Sequence, residues 1–123
     1  MTKQELQERT KAFALRVIKL VDSLPKKRSS DILGTQLLRS STSVAANYRA
    51  ACRARSQAEF IAKMGIVEEE SDESTCWLEL LTDAGLISRT KIESLLQESS
   101  ELTAIAVASI KTARRNTTGK PKP

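Results

Sequence analysis

The chain has 123 residues, of which 40% are apolar and 28% charged; it carries a net charge of +5 and no histidine. This is the size and balance of one globular domain able to bury a core. Only four aromatics (Phe13, Tyr48, Phe60 and Trp77), four glycines and three prolines occur, too few for a β fold with many turns. No apolar run approaches the roughly 20 residues that span a bilayer. The opening Met1-Thr2-Lys3-Gln4-Glu5 has no signal-peptide apolar region, so a cytoplasmic location is expected. Cys52 and Cys76 stand alone without metal or redox spacing and read as reduced thiols.

The first predicted helix covers 3–23. Leu6, Thr10, Phe13, Val17, Leu20 and Leu24 alternate at spacings of four and three, which lines one helix face. Thr2 and Glu5 form a capping box, and Pro25 forces the preceding residue out of the helical region.

The second helix is predicted over 31–55. Its stripe is Leu33, Leu37, Ser40, Val44, Asn47, Ala51 and Ala54. Leucine gives way to small residues, which allow close helix approach. Asn47, with Ser40 and Ser43, is assigned a structural role inside the seam, because a buried amide needs a partner and can fix register.

The third helix is predicted over 57–84, between the capping box Ser56/Glu59 and the stop at Gly85. Phe60, Met64, Val67, Ser71, Ser74, Leu78 and Leu81 form its seam. A second strip, Ala62, Ile66, Trp77, Leu80 and Ala84 with Glu70 and Glu73, lies about 90–150° away. It either widens the core or forms a subunit interface in which the carboxylates meet arginines of a neighbour. Ile66, Glu70, Glu73, Trp77 and Leu80 are the interface candidates. Glu68, Asp72, Glu79 and Asp83 make the solvated face.

The fourth helix is predicted over 91–115, after a capping box at Thr90/Glu93, with Ile92, Leu95, Leu96, Leu102, Ile105, Ala106 and Ile110 facing inward. Residues 116–123 read as a disordered basic tail. Short connections between long helices give an all-α, antiparallel up-down-up-down four-helix bundle.

Charge is unevenly spread. Residues 57–85 hold eight acids and one base, whereas 111–123 hold five bases and no acid. Arg39, Arg49 and Arg53 fall within about 80° on the second helix, opposite its seam. In an antiparallel bundle Arg53, Arg55, Arg114, Arg115, Lys120 and Lys122 gather at one end. That density suits a phosphate backbone, so Arg39, Arg49, Arg53, Arg55, Arg114 and Arg115 are the candidate nucleic-acid contacts. The competing reading pairs these arginines with the acids of the third helix, as ordinary surface ion pairs. A further alternative is a protein-binding scaffold without nucleic-acid contact, using the second strip and the small residues from Ser40 to Ala46.

Catalysis is not expected. Without histidine the chain lacks the commonest general acid–base group and the Glu-x-x-His pairs of di-iron bundles. The serines have no base beside them, one helix of glutamates offers too few oxygens for a cation, and no glycine-rich phosphate loop occurs. No cofactor or metal is expected.

The strings Gln36-Leu37-Leu38-Arg39-Ser40-Ser41-Thr42-Ser43-Val44-Ala45-Ala46-Asn47-Tyr48-Arg49-Ala50 and Phe60-Ile61-Ala62-Lys63-Met64-Gly65-Ile66-Val67-Glu68-Glu69-Glu70-Ser71-Asp72-Glu73-Ser74, then Trp77-Leu78-Glu79-Leu80-Leu81, carry a resemblance, together with Leu24-Pro25. Over roughly residues 6–110 they resemble the bacterial four helix bundle protein family, whose founders are encoded by intervening sequences in large-subunit ribosomal RNA genes. Many members carry Glu-Gly where this chain has Ala50-Ala51. The resemblance implies a bundle assembled as a homopentameric ring. It also implies a fold similar to the accessory protein of diversity-generating retroelements, a basic pentamer that binds a reverse transcriptase and nucleic acid. No biochemical activity comes with the family itself.

Overall fold

The computed structural model describes residues 1–118; Gly119–Pro123, with Lys120 and Lys122, lie outside the described residues. Four helices follow one another: α1 Lys3–Asp22, α2 Arg28–Cys52, α3 Gln57–Asp83 and α4 Arg89–Thr118. Each packs on its sequence neighbour, and α1 also meets α4, which closes an antiparallel bundle. Phe13, Val17, Leu37, Val44, Leu78, Leu81 and Ile92 are fully buried along its axis.

Local chemistry sets the ends. The Thr2 hydroxyl accepts from the Glu5 N–H at 3.0 Å, and Ser56 accepts from Glu59 in the same way. After α3, Gly85 takes φ +75°, and the Gly85 and Leu86 N–H groups donate to Thr82 and Leu81. That is a Schellman stop, whose left-handed residue glycine adopts without strain.

Three predictions shift. α2 starts at Arg28 and ends at Cys52, three residues early at each end, and Lys27 caps it with no side-chain bond. Three cap-forming residues in a row, Ser29, Ser30 and Asp31, make the start ambiguous in sequence. α4 begins at Arg89 rather than after Thr90 and runs on to Thr118, past the predicted end at 115 and into the first three residues assigned to the tail; the Thr90 hydroxyl shares a 3.2 Å hydrogen bond with Ser88. The α2 seam is also rotated: Gly34, Ser41 and Tyr48 are buried, while Asn47 is half-buried and donates to the carbonyl and hydroxyl of Ser43 on its own helix. A helix wedged between two neighbours buries a face wider than the narrow heptad seam.

The middle of the bundle is lined by hydroxyls. Ser40 on α2 meets Ser74 on α3 at 2.8 Å; Ser71 and Thr75 on α3 meet Thr103 and Ser99 on α4 at 2.8 and 2.6 Å. In each pair one hydroxyl donates to the other, whose own proton can go to a carbonyl three or four residues back, which keeps the buried oxygens satisfied. α1 approaches α2 closely where Gly34 faces Val21.

A candidate nucleic-acid interface

The six candidate arginines do not behave alike. Arg39 leaves the outer face of α2 and reaches across to α3. Its two terminal nitrogens donate to Glu70 at 2.9 Å and Glu73 at 3.0 Å. The carboxylates assigned to a neighbouring subunit's arginine therefore meet an arginine of their own chain. Arg39 follows the competing reading and is spent on packing.

This cluster perturbs its acids in opposite directions. Burial pushes Glu70 up, but hydrogen bonds from Ser43 and Glu73 and the charge of Arg39 outweigh it and hold the carboxyl below its usual range. Glu73 is pushed up, first by its hydrogen bond with Glu70 and then by desolvation. One carboxylate holds the charge and its neighbour retains a proton more readily.

Arg49, Arg53 and Arg55 are different. Among the described residues their side chains form no ion pair. They line a cleft with Ala46, Ala50 and Glu59 at the α2–α3 turn. Arg49 and Arg53 also border a second cleft of about 600 Å³ between α1 and α2. Arg115 is exposed at the same end, because Gln57, next to that turn, donates to the Ala113 carbonyl at 3.0 Å. Arg114 is exposed there too. Arg53, Arg55, Arg114 and Arg115 are thus gathered at one end.

The strip on α3 is partly covered. Glu70 is buried, Ile66 is half-buried, Trp77 is half-buried against the core, and Leu80 is 42% exposed. The Trp77 indole N–H is buried and unpartnered among the described residues. Ile32 on α2 adds a side chain 55% exposed. By rise along the antiparallel pair, counted from Ser40 and Ser74, Ile32 lies near the level of Leu80.

One polar cluster escaped the sequence reading. Arg9 on α1 grips α4: its Nε and Nη2 donate to both oxygens of Glu98 at 2.7 Å, and Nη2 also reaches Glu101 at 2.7 Å. The Glu98 hydrogen bond raises the guanidinium pKa, and the contact with Arg9 lowers that of Glu101. The only signal in sequence is that Arg9 borders the α1 stripe while acids border that of α4.

Among the described residues no group of acids and cysteines is placed to hold a metal ion, and no helix is long and apolar enough to cross a membrane. Fold and surface define an all-α, antiparallel four-helix bundle with arginines gathered at one end.

The chain belongs to the 23S rRNA-intervening sequence protein family, which matches over residues 2–108. It is similar to a solved structure from Bacteroides thetaiotaomicron, a protein of unknown function in the S23 ribosomal protein family. The two share 34% identity with a TM-score of 0.83, over 90% of this chain and 99% of the other. No curated protein matches.

Proposed function

We propose that the protein is a non-enzymatic, cytoplasmic interaction module that assembles as a ring of five copies and engages RNA or DNA through its basic end. The observation that carries the nucleic-acid part is the trio Arg49, Arg53 and Arg55, which forms no ion pair among the described residues; all three line one cleft, and Arg49 and Arg53 border a second. An intramolecular salt-bridge surface would neutralise them, as it does Arg39. Repeated around a ring, the end would present a dense positive rim that binds phosphates by releasing counterions. Assembly is supported by the family resemblance and by apolar Leu80 and Ile32 beside half-buried Trp77.

Native mass measured at two salt concentrations, with and without a structured RNA, tests both parts. A salt-resistant five-chain mass that shifts with RNA at low salt is expected. Trp77→Glu should reduce it to single chains, and Arg53→Glu with Arg55→Glu should abolish RNA retention while the mass persists. A single-chain mass for the unmodified protein overturns the ring. A ring indifferent to RNA overturns the basic-end reading in favour of a protein-binding scaffold.

A further inference from the structure

We infer that the cleft between α1 and α2 is a track for the sugar-phosphate backbone of a single nucleic-acid strand, with Lys11 and Arg49 on opposite walls and Arg53 at its end. The inference rests on the basic-end reading and specifies where and how contact is made.

The cleft has two walls from two helices. Gln4, Gln7, Glu8 and Lys11 come from α1, Arg49 from α2 and Arg53 from the cap that ends α2. Thr42, Ala45 and Ala46 also line it, and their small side chains leave room between the cations. Among the described residues Lys11, Arg49 and Arg53 form no ion pair. Glu8 is the one acid on the lining, so the cations outnumber it. Gln4 and Gln7 add uncharged donors of the kind that bind phosphate and sugar oxygens.

Size and chemistry favour a single strand. The cleft is a surface furrow between adjacent helices whose axes lie about 8–10 Å apart. A duplex is far wider, since its major groove alone is about 12 Å across. A single backbone enters where a rod cannot. Arg49 and Arg53 are one helical turn apart, about 6 Å along the axis, and both reach the same line of the cleft. The lining holds no aromatic side chain, so bases have nothing to stack on. Contact is therefore with phosphates, and base identity should matter little.

The test is the affinity of oligouridylate and oligoadenylate for the full chain, read by fluorescence anisotropy between about 50 and 200 mM salt. Wild type should bind both oligomers alike. Lys11→Gln with Arg49→Gln should weaken both at least about tenfold at low salt and flatten the salt slope by about 0.7 for each contact removed. Lys19→Gln with Lys91→Gln, exposed at the opposite end of the bundle and removing the same two charges, should change single-strand affinity much less. Lys11→Arg with Arg49→Lys should retain binding, and this pair separates loss of charge from loss of fold. Unchanged affinity and slope in the Lys11→Gln, Arg49→Gln protein overturns the cleft while leaving the basic end intact. A strong preference for one base overturns backbone-only contact. Wild type that binds neither single strands nor duplex overturns both the cleft and the basic-end reading.

Discussion

The hydroxyls of Ser40 and Ser74 share a 2.8 Å hydrogen bond in a fully buried layer between α2 and α3. Ser74 lies 2.9 Å from the Glu70 carbonyl and Ser40 3.3 Å from that of Leu37, so whichever hydroxyl donates across the pair, the other can donate to its own helix. Ser74→Ala should cost about 1 kcal/mol, and Ser40→Ala with Ser74→Ala clearly less than the sum of the single changes. Ser74→Leu should cost about 1–3 kcal/mol by overpacking. Urea midpoints of the four variants check this; additive losses would show that the two hydroxyls are uncoupled.

Arg39 fastens two carboxylates of opposite behaviour. Glu70 is held below its usual range, so it binds protons less readily folded than unfolded. Its stabilisation is present above the unfolded carboxylate range and is lost as pH falls through the folded value. Glu73, pushed up, has the opposite sign and partly offsets it. Arg39 is half exposed, so Arg39→Ala should cost only about 1–2 kcal/mol at neutral pH. The gap from wild type should close below about pH 4. A gap that persists in acid would place the effect in lost packing instead of charge.

The Arg9 clasp should matter more than an ordinary surface pair, because it is bidentate to Glu98. Arg9→Ala should lower stability by about 1 kcal/mol, with the loss shrinking as salt rises. Glu101→Gln should do less, since Glu98 keeps both its bonds. Thermal melts at low and high salt read the difference.

Two helical glycines should answer alanine with opposite signs. A Cβ at Gly65 would meet nothing within 4 Å, so Gly65→Ala should stabilise by about 0.5–1 kcal/mol through helix propensity. A Cβ at Gly34 would lie 3.0 Å from Val21 Cγ1 and 3.4 Å from Leu24 Cδ1. Valine is stiff about its first side-chain torsion, so Gly34→Ala should destabilise. Denaturant midpoints of the two variants, compared with wild type, decide the signs.

Heptad spacing in the sequence makes the four helices and most of the core legible, because a bundle needs little more than an apolar stripe per helix. Leu37, Ser40, Val44 and Ala51 sit inside as their spacing requires. Asn47 does not, because its amide finds Ser43 one turn away and Tyr48 takes the inward place. The site is less legible. Arg39, Arg49 and Arg53 share a helix face, and only tertiary structure shows that Glu70 and Glu73 reach the first, while among the described residues no acid forms an ion pair with the others. Lys11 gives no sign in sequence, since it becomes a wall only when α1 is laid against α2.

The four seams of the bundle are unequal. α3 is bonded on both sides by buried hydroxyl pairs, whereas α1 touches α4 least of all adjoining helices and holds it through Arg9 and Arg16. Opening then has a preferred order. The helix with the thinnest attachments detaches at the lowest free energy, and its amides exchange with solvent before the others do. The α3 amides should be the slowest, and α1 should swing as a leaf pinned at Gly34 by the close approach of Val21. A strand lying against Lys11 would bridge that leaf to the rest of the molecule and slow its exchange, so that ligand and helix report on each other in one deuterium-uptake curve.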